Sequence, residues 1–90
     1  MNDSHIIKNA FVKQTVQDGE MILLNPETGE YFGLNESGNA IWETLDTAST
    51  VNTIVRHVAL VYDSDERAIE PIVRKFLESL RERRLVMWAP

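Results

Sequence analysis

Residues 23–45 read LLNPETGEYFGLNESGNAIWETL, and the spacing of their apolar side chains changes midway. Up to Leu34 apolar residues fit the period of two of an extended strand, whereas beyond Asn35 the residues Ile41, Trp42 and Leu45 recur at helical spacing. Asn25-Pro26-Glu27-Thr28-Gly29 interrupts the extended part, with a proline suited to open a turn and a glycine suited to close it in the left-handed region. The stretch therefore predicts a strand, a turn, a short strand Glu30–Leu34, and a helix capped by Asn35 that ends near Asp46. Alternation puts Phe32 and Leu34 on the core face of the short strand and Tyr31 and Gly33 on the other.

Toward the N-terminus, Met21-Ile22-Leu23-Leu24 is apolar on both faces, as a middle strand covered on each side would be. Asp18-Gly19 suits a tight hairpin, and the strand before it, from Ala10, alternates Val12 and Val16 with Lys13, Thr15 and Gln17 in a half-buried pattern. Toward the C-terminus, Ser49 or Thr50 can cap a second helix with a stripe of Val51, Ile54, Val55, Val58, Val61 and Tyr62. Asp63-Ser64-Asp65-Glu66, with Asp63 and Glu66 spaced like a capping box, announces a third that buries Ile69, Val73, Phe76, Leu77 and Leu80. Pro71 predicts a kink in that helix or a start later than the acids suggest. Leu85 to Trp88 is expected to fold back as an apolar tail. The fold class is α+β: an N-terminal three-stranded antiparallel β-meander followed by three helices, as one domain over residues 1–90 with a core of about 10–88.

Composition narrows the function. The 90 residues are 43% hydrophobic and 26% charged, the mix of a folded soluble domain. No apolar run is long enough to cross a bilayer and the N-terminus carries no secretion signal, so no membrane role and a cytoplasmic location are expected. A net charge of −5 disfavours nucleic acid as a partner. The sign is uneven: three bases face eleven acids up to Glu66, and six bases face three acids beyond it. The basic end suits either an anionic partner or the C-terminal carbonyls of the third helix, where Arg81, Arg83 and Arg84 stand.

Catalytic patterns are missing. Without cysteine there is no disulfide, thiolate zinc site or cysteine nucleophile, and His5 and His57, the first in a terminus expected to fray, make a poor metal or triad set. Asp63-Ser64-Asp65 lacks the glycine and distal glutamate of an EF-hand and reads as a helix cap. Glycines stand singly at 19, 29, 33 and 38, so no phosphate-cradling loop exists. No catalytic residue, metal or cofactor is expected. What remains is a binding surface, because the strand Glu30–Leu34 lies at the edge of a simple meander and an edge strand can accept a partner strand. Gly33 either marks close approach by another backbone or permits a bulge before the first helix. Ile72, at the margin of the third helix's stripe, either packs inward or lines a groove.

The Tyr31-Phe32-Gly33-Leu34-Asn35 run feeding Ser37-Gly38 and Ile41-Trp42 is the most specific wording in the chain. With Thr50-Val51, Ile54-Val55, the acids Asp63 to Glu66, Val73, Phe76-Leu77, Leu80 and Leu85-Val86, it resembles the PqqD-like family, which binds precursor peptides of ribosomally made, modified natural products. The resemblance spans Val16 to Val86, and its wording is most similar to the stand-alone recognition proteins of lasso-peptide pathways. It implies a winged-helix-like arrangement and no chemistry of the domain's own. The precursor's leader peptide would add as a strand beside Glu30, Tyr31, Phe32, Gly33 and Leu34, with a helix wall drawn from Ile69, Ile72, Val73, Arg74 and Leu77. Implied partners are the leader peptide and the leader protease and cyclase of the pathway, or a radical enzyme if the product is pyrroloquinoline quinone or a related compound. An edge strand also permits a homodimer. A winged-helix DNA-binding regulator and a dimerising structural subunit are the competing readings.

Overall fold

The computed structural model describes residues 5–47 and 50–89, in the order β1 (His5–Lys8), β2 (Lys13–Gln17), β3 (Glu20–Asn25), β4 (Glu30–Leu34), α1 (Glu36–Thr44), α2 (Val51–Tyr62), α3 (Glu66–Glu82) and β5 (Val86–Ala89). Strands β2, β3 and β4 form the expected antiparallel meander with β3 in the middle. Asp18 and Gly19, at φ 52° and 81°, make the two-residue turn between β2 and β3, and Gly29 at φ 78° closes the next. A separate two-stranded sheet is added: β5 pairs antiparallel with β1, Ile6 opposite Trp88 and Lys8 opposite Val86. His5 therefore stands in a paired strand rather than a frayed end, and the segment expected as an apolar tail is a strand. The pairing joins the two ends of the chain, which no local pattern announces.

The helices cap as their sequences dictate. The Asn35 side chain accepts from the Gly38 amide at 2.7 Å to start α1. Thr50 and Thr53 form a reciprocal capping box on α2, and the alternative cap, Ser49, lies outside the described residues. Asp65, not Asp63, caps α3, accepting from the Arg67 amide at 2.9 Å. Asp63 is left-handed at φ 51° and ends α2, so the expected pairing of Asp63 with Glu66 gives way to the sharp corner between the two helices. Helix α3 begins directly after its cap and continues through Pro71. Pro71 and Arg67, whose carbonyl loses its helical partner, are both exposed, which leaves that carbonyl open to solvent rather than orphaned in the core.

The core joins Leu23 and Leu34 of the sheet, Ile41, Trp42 and Leu45 of α1, Val51, Ile54, Val55 and Val58 of α2, Val73, Leu77 and Leu80 of α3, and Ile6, Leu85 and Val86 from the chain ends. Trp42 is held by two polar contacts: its Nε1 donates to Gln14 Oε1 at 2.7 Å, and the Lys8 ammonium, paired with Asp46 at 2.9 Å, lies 4.3 Å from the ring centroid. Three burial expectations are corrected. Strand β2 is exposed on both faces, with Val16 at 63%. Ile22 and Leu24 of β3 are half-buried, since side chains of the sheet itself rather than a second layer flank that face. Val61 and Tyr62 are exposed at the end of α2, on the rims of cavities it forms with α1 and α3, and Ala59 is buried instead.

Candidate functional site

Strand β4 has β3 on one side and, among the described residues, no strand on the other. Which of its main-chain groups face outward follows by counting. A two-residue turn of this type closes on a hydrogen-bonded pair, here Gln17 and Glu20, and such pairs alternate along an antiparallel ladder. Glu20, Ile22 and Leu24 thus bond toward β2, while Met21, Leu23 and Asn25 bond toward β4, where their partners are Leu34, Phe32 and Glu30. Tyr31 and Gly33 are left with N–H and C=O directed away from the sheet. The register is continuous through Ile22 opposite Gly33, so there is no bulge at this glycine. A Cβ at Gly33 would sit 3.6 Å from Ile22 Cδ1 and 3.8 Å from Glu20 Oε1, so the fold tolerates a small side chain there.

Beside this edge runs a groove of about 520 Å³ between β4, the start of α1 and one face of α3. Phe32, Leu34, Ile41, Ile72 and Phe76 supply its apolar surface. Phe32 is fixed from two directions, by Phe76 at a ring separation of 6.0 Å and by the Arg83 guanidinium 4.9 Å from its centroid. Gly38 lets α1 approach: a Cβ there would come within 3.0 Å of Phe76 Cε1 and 3.1 Å of Asn35 Oδ1. At the far end the fully buried Asn25 ties the walls together. Its Nδ2 donates to the Arg83 carbonyl at the end of α3 at 2.9 Å, while its Oδ1 accepts from the Glu27 amide in the turn that leads to β4. A smaller cavity of about 290 Å³, lined by Val58, Tyr62, Ile69 and Val73, continues the groove past Ser37, Ile41 and Ile72.

The sequence-predicted residues divide. Phe32, Gly33, Leu34 and Ile72 line the groove, and Ile72, 55% exposed, forms its lip rather than packing inward. Tyr31 is exposed on the opposite face, as alternation requires. Glu30 is tied into the turn through Thr28. Val73 and Leu77 have no accessible surface and Ile69 very little, so they back the wall as core. Arg74 lies outside the lining and pairs with Glu70 at 2.8 Å. Glu20, Ser37, Gly38, Lys75, Phe76 and Ser79 also line the groove and were not expected there. A signal for part of this set exists, because 72, 75, 76 and 79 share one helical face at spacings of three and four, adjacent to the buried stripe 69, 73, 77 and 80.

Among the described residues no cluster of histidine and carboxylate side chains could hold a metal ion, and no helix is long and apolar enough to cross a membrane. The basic C-terminal residues are partly engaged within the fold, Arg81 over Trp88 at 5.0 Å and Arg83 over Phe32.

The family model of coenzyme PQQ synthesis protein D (PqqD) matches residues 20–86. Among solved structures, TbiB1 in complex with the TbiA(beta) leader peptide is 31% identical, with 89% of this chain and 93% of that one covered at a TM-score of 0.78. A lasso peptide synthetase B1 complexed with the leader peptide superposes at a TM-score of 0.79 over 92% and 98% of the two chains, at 19% identity. The PqqD truncation of Methylobacterium extorquens PqqCD, a stand-alone recognition element for ribosomally synthesized and post-translationally modified peptides, does so at 0.74 over 92% and 88%, at 24% identity. At the last two identities the likeness is one of fold. No curated protein sequence matches the chain.

Proposed function

This chain belongs to the PqqD family, and from that premise we propose that it is a recognition protein for the leader peptide of a ribosomally made, modified precursor. The leader adds to β4 as a further strand and turns alternate side chains into the groove against α3. The observation that carries this reading is the vacant outer edge of Glu30–Leu34 alongside an apolar groove. Tyr31 and Gly33 supply main-chain register. Phe32, Leu34 and Ile72, with Phe76, supply the anchoring surface, and Ile69, Val73 and Leu77 hold that wall from behind; Glu30 and Arg74 flank it.

The energetics assign the parts. The four outward groups of Tyr31 and Gly33 are worth about 1 kcal/mol each, and ordering a flexible leader costs about 2–5 kcal/mol. The ladder and the ordering cost therefore nearly cancel. Affinity and selectivity must come from apolar side chains in the groove, at about 1.5–3 kcal/mol for each one fully buried. Catalysis by this domain is not required. Holding the leader raises the effective concentration of the attached core peptide at a modifying enzyme, to about millimolar for a short flexible tether. The Tyr31-Phe32-Gly33-Leu34-Asn35 wording favours a lasso-peptide pathway, with a leader protease and a cyclase as cytoplasmic partners, over a radical enzyme of quinone-cofactor assembly.

Calorimetric titration of the purified 90-residue chain with the leader of the precursor encoded beside it should give saturable one-to-one binding. Absence of binding at high micromolar concentration refutes the reading. Sedimentation of the free and bound chain reports whether a second copy, rather than the leader, takes the β4 edge.

A further inference from the structure

We propose that the leader is selected by charge as well as by apolar shape, through Glu20 and Lys75 on opposite sides of the β4 edge, so that the added strand carries a basic and an acidic side chain on its two faces. The inference rests on the strand-addition reading and specifies its ligand. Glu20 and Lys75 are the two ionisable residues that line the groove, and neither has an ion-pair partner among the described residues. The contrast with their neighbours is informative. Arg74 is neutralised by Glu70 one turn earlier, and Arg81 and Arg83 lie over Trp88 and Phe32, whereas Lys75 is left at the groove wall beside Phe76.

The two charges stand on different faces of the sheet. Glu20 shares the outward face of β3 with Ile22 and Leu24, and its carboxylate reaches across to Gly33, 3.8 Å from where a Cβ would be. The lack of a side chain at Gly33 keeps that lane open between the carboxylate and the strand edge. Lys75 belongs to α3, on the inward side, next to the Ile72 and Phe76 surface. A strand added to β4 alternates between these environments with period two. Its side chains directed inward meet Ile72, Phe76 and Lys75, which suits apolar anchors and one Asp or Glu. Those directed outward pass Gly33 and meet Glu20, which suits a Lys or Arg. The acidic and basic positions of the leader must therefore be separated by an odd number of residues. The same pair acts against wrong partners, since an extended segment with the signs exchanged places like charges together at both positions.

The test is a charge-exchange series by fluorescence anisotropy, using the labelled leader of the precursor encoded beside the chain. Lys75→Glu and Glu20→Lys are both at exposed positions, and circular dichroism confirms that each variant keeps its fold. Each should weaken binding about 5- to 10-fold at low salt, a reversal acting on both the lost attraction and the new repulsion. The loss should shrink as salt rises. Exchanging one leader acid for Lys should restore binding to Lys75→Glu alone, and exchanging one leader base for Glu should restore it to Glu20→Lys alone, at positions an odd number apart. Saturable binding of the wild type with both variants within twofold of it overturns the charge inference and leaves strand addition standing. Rescue at positions an even number apart overturns the assignment of the two faces. Failure of the wild type to bind overturns strand addition itself, and this inference with it.

Discussion

Replacing Gly33 with proline separates the docking edge from the fold. The outward-facing amide of Gly33 is one of two that β4 offers to an added strand, and it takes no part in the ladder with β3. Proline removes that donor and puts its ring where the incoming carbonyl would lie. The lost hydrogen bond costs about 1 kcal/mol, and the leader carbonyl left without a partner against the groove costs a further 1–3 kcal/mol. Together these predict binding weaker by about 30- to 1000-fold, at about 1.4 kcal/mol per decade. The free domain should lose little, because proline is accommodated on an edge strand whose N–H side is open. Two controls bracket the result. Gly33→Ala keeps the donor, and its Cβ meets Ile22 and Glu20 at ordinary contact distances of 3.6 and 3.8 Å, so its affinity should stay within about threefold. Phe32→Pro removes an amide bonded to Leu23 and should lower Tm markedly. Calorimetry with the leader, alongside circular dichroism melts, reads all three. A Gly33→Pro protein that melts like the wild type and binds within threefold of it refutes both the edge mode and the counting of outward groups.

Ile72→Ala removes an exposed side chain and should leave stability nearly unchanged while weakening leader binding about fivefold or more; Leu77→Ala, on the same helix and fully buried, should cost about 2–5 kcal/mol of stability, and thermal melts with titrations of both variants separate groove from core. Asn25→Ala leaves the Arg83 carbonyl and the Glu27 amide without their buried partner and should destabilise by about 1–3 kcal/mol, read by urea unfolding, with a looser groove and weaker binding. Gly38→Ala gains up to about 1 kcal/mol of helix propensity but drives a methyl to 3.0 Å from the Phe76 ring; the ring must shift, overpacking of about 1–3 kcal/mol wins, and both Tm and leader affinity should fall.

The order of elements was written in local chemistry. Asp18-Gly19 and the stretch from Asn25 to Gly29 fix two hairpins through backbone preferences that need no distant partner, and Asn35, Thr50 and Asp65 start their helices by bonding amides two or three residues on. The edge position of β4 follows from the same local facts, since a strand that enters a helix after a simple meander has no further hairpin to cover it. What the chain did not disclose locally is every relation between segments far apart. The pairing of His5–Lys8 with Val86–Ala89 unites both ends, and neither strand signals its mate. On α3 two neighbouring stripes, 69-73-77-80 and 72-75-76-79, share helical spacing, and only the placement of the helix against β4 and α1 decides that the first is core and the second groove. Glu20 and Lys75, far apart in sequence, become opposed charges at one strand edge for the same reason. Periodicity determines which residues share a face, whereas the angle and register at which elements meet determine what that face looks upon, and those are set by the packing of the whole core.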